Sequence, residues 1–279
     1  MEKLLFGTGG APLSTTGSGS EAGIKRIREL GLSCMEIEWV QSSPSAKESR
    51  TLSGIREEAE KEPRVILSCH ASYYINLAGE PEVIGASRDR IQRSAKALSI
   101  AGGRNVVFHP AFYKGMTSEQ TLGIVVGNLL KVIKWFEENN VKGVCLRPET
   151  TGKPTQFGSL EEIIKICLEV PNTLPCVDFA HLHARTGGKN NSYKEFAESL
   201  EMIGKKLGDD ALKDIHIHMS GIEYSDKGER KHLKLDESDM NYKELMKALK
   251  DYNVAGTMIC ESPVLEEDAL IMKAHYESL

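Results

Sequence analysis

The sequence predicts an α/β chain folded as a closed (β/α)8 TIM barrel. Three observations carry this. Short apolar runs alternate with amphipathic helical stretches about eight times over 279 residues, which implies a parallel sheet covered by helices. Eight such units over this length suit a closed barrel better than an open sheet. No Pro/Ser-rich linker and no shift in composition interrupts the series, so one domain over 1–279 is expected.

Taken in order, Lys3–Phe6 is the first apolar run, and it enters the loop GTGGAPLSTTGSGS. That loop lacks the G-K-[ST] ending and the G-x-G-x-x-G spacing of a phosphate cradle, and reads as a plain loop. Ser20 is placed as the N-cap of a helix carrying Ile24, Ile27 and Leu30, closed by Gly31. Cys34–Val40 alternates as a strand should, and a helix is expected over Ser45–Lys61. The strands Val65–His70, Asn105–Pro110 and Gly143–Glu149 follow, separated by helices near Pro81–Ala101 and Ser118–Asn139. A helix over Leu160–Glu169 leads to the strand Pro175–His181, and a helix over Tyr193–Leu207 leads to the strand Asp214–Met219. A long polar loop, a helix over Tyr242–Tyr252, the strand Gly256–Glu261 and a helix over Glu266–Ser278 complete the chain.

Composition narrows the function classes. The net charge of −5 and the pI near 6.0 argue against coating nucleic acid by bulk charge, while leaving room for a local basic patch. None of the six cysteines forms a C-x-x-C pair, and they read as small buried residues in a reducing cytoplasm. No basic-then-apolar leader and no apolar run of membrane-spanning length is present, so no membrane association is expected.

The chemistry collects where the strands end. Strand three ends in His70, strand four in His109, strand five in Glu149, strand six in Asp178 and His181, strand seven in His218 and strand eight in Glu261. In such a barrel the active site lies at that face. Strand parity puts Ser68 with His70, Val107 with His109, His216 with His218 and Ile259 with Glu261 on the inward side. Asp178 and His181 are an odd number apart, so their strand must break near Phe179–Ala180 for both to face the bowl. A single histidine there suits a hydrogen-bonded core position, but so many imidazoles and carboxylates at one end need partners. Mixed His and carboxylate ligands without thiolate suit Zn, Mn or Fe. The set exceeds what one tetrahedral ion needs, which implies two or three ions. Clustered divalent ions suit phosphodiester hydrolysis.

At this point the chain resembles the endonuclease IV family of apurinic/apyrimidinic endonucleases, within the xylose-isomerase-like barrels. The motifs are H-x-S-Y-x-I-N-L at His70–Leu77, F-H-P at Phe108–Pro110, P-E-T at Pro148–Thr150, D-x-x-H at Asp178–His181 and E-S-P at Glu261–Pro263. The resemblance covers nearly the whole chain. It implies three zinc ions, the first held by His70, His109 and Glu149. Glu149 would bridge to a second, held also by Asp178, His218 and Glu261. His181 would belong to the third. It further implies a monomer that cuts DNA 5′ of an abasic site in base-excision repair, through attack of a metal-bridging hydroxide on phosphorus. Glu149 and Glu261 would be its catalytic residues. Tyr73 and Asn76 stand where the family contacts DNA.

Two departures leave alternatives open. The family completes its third site with a D-x-H pair after strand seven, whereas this loop reads Gly228-Glu229-Arg230-Lys231-His232. His232 can take the histidine's place, and Glu229 is the nearest acid, with one residue too many between. Either the loop bulges, or Asp226 serves, or the third site is weak or absent. The family's basic loop after strand two is also not recognisable in Trp39–Ser45, although Arg147, Lys153, Arg185 and Lys189 offer cations elsewhere. The alternative function is a metal-dependent sugar isomerase or epimerase of the same superfamily. Glu149, Asp178, His218 and Glu261 match that group's single-metal set, with Mn or a similar ion.

Overall fold

The computed structural model describes residues 1–41 and 49–279. Eight strands form one sheet, all neighbours parallel: β1 (Leu4–Gly9), β2 (Cys34–Glu38), β3 (Ile66–His70), β4 (Asn105–Phe108), β6 (Cys145–Pro148), β8 (Cys176–Asp178), β9 (Ile215–Met219) and β12 (Gly256–Cys260). Their order is β6-β4-β3-β2-β1-β12-β9-β8. Two parallel bridges, Leu146 to Thr173 and Glu149 to Cys176, join the outermost strands and bring the sheet round into the expected barrel.

The helices α1 (Ser20–Glu29), α2 (Ser49–Glu60), α3 (Pro81–Ile100), α4 (Ser118–Glu138), α5 (Leu160–Glu169), α7 (Tyr193–Leu207), α9 (Tyr242–Asp251) and α10 (Glu266–Ser278) alternate with the strands and pack in sequence order. Capping boxes start two of them: the Thr117 and Ser159 hydroxyls accept the amides of Gln120 and Glu162, whose side chains reach back to the caps. Leu67, Phe108, Ile217 and Met258 lie in one continuous apolar cluster with the helices' inner faces. Among the described residues, no helix is long and apolar enough to cross a membrane.

Local structure differs from expectation at three places, and a fourth expectation falls partly outside the described residues. Ser20 is the first helical residue of α1, and Gly19 holds the cap position without a side-chain hydrogen bond. The helix expected from Ser45 is described from Ser49, since 42–48 lie outside the described residues. The sixth barrel strand stops at Asp178, and α6 (Phe179–Arg185) begins at once. The polar stretch after β9 is no loop: β10 (Gly221–Ser225) and β11 (Gly228–Leu233) form an antiparallel hairpin. Ile222 and Tyr224 alternate on β10, but β11 is polar apart from Leu233, so the apolar period is too short to mark a hairpin. The short strands β5 (Ala111–Phe112) and β7 (Gln156–Phe157) form a second small sheet, and α8 (Asp209–Leu212) precedes β9.

Gly7 shows how tightly the wall closes. It pairs with Cys34, and a Cβ there would lie 1.7 Å from the Cys34 carbonyl oxygen. Gly7→Ala should therefore separate β1 from β2 and destabilise the fold by about 3 kcal/mol. Denaturant titration measures this, and an unchanged midpoint would mean that the wall yields freely at β1.

Candidate metal centre

Glu149 follows β6 and is buried at 1 % exposure. Its amide donates to the Phe108 carbonyl, which fixes the residue against the end of β4. Oε2 lies 3.2 Å from His70 Nε2 and 3.0 Å from His109 Nε2. Oε1 lies 3.2 Å from His181 Nδ1 and 3.3 Å from His218 Nδ1. One carboxylate thus meets four imidazoles carried by four different strand ends. Glu261, at the end of β12, reaches His218 Nδ1 at 3.3 Å.

The odd spacing of Asp178 and His181 is resolved by the switch from strand to helix. Asp178 ends β8 and caps α6, its Oδ1 accepting the His181 amide at 2.6 Å. One helical turn then carries His181 back over the same bowl. Asp178 Oδ2 remains buried without a hydrogen bond, 3.3 Å from His181 Nδ1. The hairpin supplies the rest. Glu223 pairs with Lys231 and Tyr224 with Glu229, so Arg230 is an extra residue on β11. In a regular strand Glu229 and His232, three apart, would face opposite sides. The bulge at Arg230 returns both to one side. Glu229 Oε2 then lies 3.5 Å from His181 Nε2, and the His181 and His232 rings meet edge to face at 5.7 Å. Asp226 stays in the turn of the hairpin. The Glu229 amide donates to Gly152, where a Cβ would lie 2.6 Å from the Glu229 side chain, so this close approach requires glycine.

Ligand-capable atoms within 4.8 Å of one another therefore fall into groups. Three of the five among the described residues consist of predicted residues, His70–His109–Glu149, Glu149–Asp178–His218–Glu261 and His181–Glu229–His232, with Glu149 common to the first two; the others are Cys176–His216–His218 and Glu36–Glu38–Glu261. Three imidazoles are oriented from behind. His70 Nδ1 faces the Ala71 carbonyl at 2.7 Å, His181 Nδ1 the Thr150 carbonyl at 3.0 Å and His232 Nδ1 the Ser220 hydroxyl at 2.9 Å. This leaves each Nε2 for the bowl, the arrangement that prepares histidine to bind a metal. The hydrogen-bond-free Asp178 oxygen and the hard, mixed donors fit divalent ions such as zinc. Burial works against charge throughout, yet the His109 and His218 imidazoles hold the Glu149 carboxyl well below its usual range. Glu261, likewise buried, is lowered to about 2 by His218. Burial opposes the His70 cation, but Glu149 raises it to about 9. Protons and metal ions compete for these same atoms.

The groups open into a cavity of about 600 Å³, also lined by Tyr73, Lys153, Arg230 and Lys231. Tyr73 is 58 % exposed, its ring tilted against His70 at 5.3 Å. Asn76 is only 7 % exposed, and its Oδ1 accepts the amides of Ala78 and Phe112. It braces the loop and does not reach the cavity surface. Arg147 is buried beside Asp214 and Asn105, and Arg185 is spent on the carbonyls of Lys153 and Gln156. Lys189 lines a different cavity. Two residues were not singled out from sequence: Glu36, which contacts His216 and His218, and Glu38, which lines the bowl. Loss of solvation, with Glu36 and Glu261 nearby, pushes Glu38 up to about 8. The alternation of Cys34–Val40 held the signal, since it sets both acids on the inward face of a barrel strand.

The closed barrel and its bowl of metal-competent side chains have the architecture of a xylose isomerase-like TIM barrel. Residues 24–277 match that family, and the chain belongs to it. An uncharacterized protein of Methanocaldococcus jannaschii is 43% identical over 278 residues, covering 99% of this chain and 98% of that one. A protein of Mycoplasma pneumoniae named probable endonuclease 4 is 28% identical over 203 residues, covering 71% of this chain and 66% of the relative. Among solved structures, endonuclease IV from Thermus thermophilus superposes with a TM-score of 0.73 at 20% identity, covering 98% of this chain and 100% of its own. A D-tagatose 3-epimerase-like protein superposes with a TM-score of 0.69 at 22% identity, covering 92% and 91%. At these identities the two superpositions establish the fold.

Two variants test the bulge. Deleting Arg230 leaves Glu229 and His232 two residues apart, on one face of a regular strand, and should preserve the third group. His232→Ala should remove it. Elemental analysis of bound divalent ions should give the unmodified count for the deletion and one ion fewer per chain for His232→Ala. A lost ion in the deletion would show that the bulge does more than correct the spacing.

Proposed function

We propose that the protein is a zinc-dependent endonuclease that cleaves the DNA phosphodiester 5′ of an abasic site, leaving a 3′-hydroxyl. The observation that carries this reading is the third group, His181–Glu229–His232, gathered beside the two groups that share Glu149. A single-ion sugar enzyme has no use for it. His70, His109 and Glu149 would hold one ion, Glu149, Asp178, His218 and Glu261 a second, and His181, His232 and Glu229 a third. Divalent ions held there would supply Lewis-acid polarisation of the phosphodiester and a water nucleophile near neutral pH. Glu261, kept ionised beside His218, would orient that nucleophile from the cavity wall. Tyr73 offers an exposed ring at the mouth for stacking on a flipped-out or neighbouring nucleotide. Lys153, Arg230 and Lys231 offer cations to phosphate oxygens. With a net charge of −5, DNA would be held by such local contacts.

One observation favours the sugar isomerase or epimerase. Glu38 lines the bowl and, among the described residues, makes no hydrogen bond or ion pair. Its carboxyl, pushed up to about 8 by loss of solvation, could exchange a hydrogen bond or a proton with a sugar hydroxyl. The two readings differ in ion count and substrate. Protein purified without chelator should carry three divalent ions per chain and cut a duplex with one abasic site. Chelator should abolish the cut and zinc restore it. One ion per chain with ketose epimerisation and no cleavage would establish the sugar enzyme instead.

Glu261→Gln keeps the side chain's shape while removing its charge. Cleavage should fall roughly 100-fold or more, with binding to the abasic duplex retained in a gel-shift assay. Unimpaired cleavage would remove Glu261 from the mechanism.

A further inference from the structure

The interior of a TIM barrel is ordinarily filled by layers of branched apolar side chains. Here a polar column runs beneath the bowl. Glu36, fully buried on β2, places Oε2 2.9 Å from His216 Nε2 and Oε1 2.9 Å from His218 Nε2. His216 Nδ1 lies 2.6 Å from the Thr257 hydroxyl and 3.3 Å from the Asn105 amide nitrogen. Both can donate to it, so the His216 proton sits on Nε2 and is given to Glu36. Asn105 Oδ1 in turn accepts from Arg147 Nε at 2.8 Å, and Arg147 pairs with Asp214 at 3.2 Å. A buried carboxylate is costly unless its partners are fixed, and each partner here is itself held by the next.

His218 uses both ring nitrogens. Nδ1 faces Glu149 and Glu261, each at 3.3 Å, and Nε2 faces Glu36 Oε1 in a charge contact at 2.9 Å that lacks hydrogen-bond alignment. We propose that Glu36 is a positioning residue for the second ion: held by His216, it grips the His218 ring from below so that Nδ1 points into the Glu149–Asp178–Glu261 group. This rests on His218 being a ligand of that ion, which the nuclease and sugar readings share. It assigns Glu36 no contact with substrate. A carboxylate behind a ligating imidazole fixes its orientation and raises its basicity, and loss of such a partner costs metal affinity roughly 10- to 100-fold.

The test uses Glu36→Gln, which is isosteric, and Glu36→Asp, which keeps the charge. Ion-free and loaded protein are compared by thermal melting, by elemental analysis after dialysis against a graded chelator, and by the visible spectrum of the cobalt-substituted form. Glu36→Gln should melt as the unmodified protein does when ion-free. It should release one ion per chain at a chelator concentration at least about tenfold lower, with a changed cobalt spectrum. Glu36→Asp should recover part of that affinity. A folded Glu36→Gln that keeps all its ions with unmodified affinity would overturn the proposal. So would failure of both variants to fold, since Glu36 would then be purely structural. If the unmodified protein bound no ions, the functional reading itself would fail, an outcome distinct from either.

Discussion

The contact on which the rest depends is the one between the Glu149 carboxylate and four imidazoles. His70, His109, His181 and His218 arrive from different strand ends, and each lies within 3.3 Å of one of its oxygens. Such a cluster can exist only if those ends stand at the same height around a closed ring. Glu149 helps to close that ring, because its backbone bridges to Cys176 across the seam between β6 and β8. Closure of the barrel and assembly of the site therefore share a residue. A shift in register at that seam would move the carboxylate away from its partners and open the wall at once.

Two elements added to the plain barrel, α6 and the β10–β11 hairpin, serve the same bowl. The single turn of α6 brings His181 over Asp178. The hairpin of β10 and β11 swings Glu229 and His232 inward and is tied to Gly152 by a backbone hydrogen bond. Behind it, His183 on α6 reaches Asp239, which also accepts the Tyr224 hydroxyl, so helix and hairpin are clasped together. A spacing that breaks the expected D-x-H pattern is absorbed by one bulged residue. The cost of a bulge is small at a hairpin with free edges, which is where bulges concentrate.

Below the bowl, the barrel gives up apolar packing for polar contacts at Glu36, His216, Asn105 and Arg147. Isolated buried charges would destabilise the core, and paired ones bring little net stability over apolar packing. Their benefit is geometric. A rigid column under His218 limits how far its ring can rotate, and the affinity of any ion bound there would depend on that rotation.

The barrel was legible in the sequence because strand and helix periods are local, and eight alternations leave few other architectures. The bounds of α5 and α7 could be read to the residue, since their capping boxes and apolar periodicity lie within a few positions of one another; those of α10 matched without a side-chain cap. The strand ends carrying His70, His109, Glu149, Asp178, His218 and Glu261 were legible from the ends of apolar runs, with parity supporting His70, His109, His218 and Glu261. Ser20 misled because Gly19 can hold the cap conformation as well as a serine. The β10–β11 hairpin escaped because its apolar period amounts to Ile222 and Tyr224 on β10, while β11 is polar apart from Leu233. Whether Glu229 or Asp226 would join His181, and whether Glu36 and Glu38 would matter at all, could not be decided from the chain. Those outcomes depend on the bulge at Arg230 and on contacts spanning up to 180 residues, as between Glu36 and His216. Sequence order determined which residues would stand at the mouth of the barrel. Only the closed ring decided which of them touch, because touching depends on register around the wall, and no local pattern encodes it.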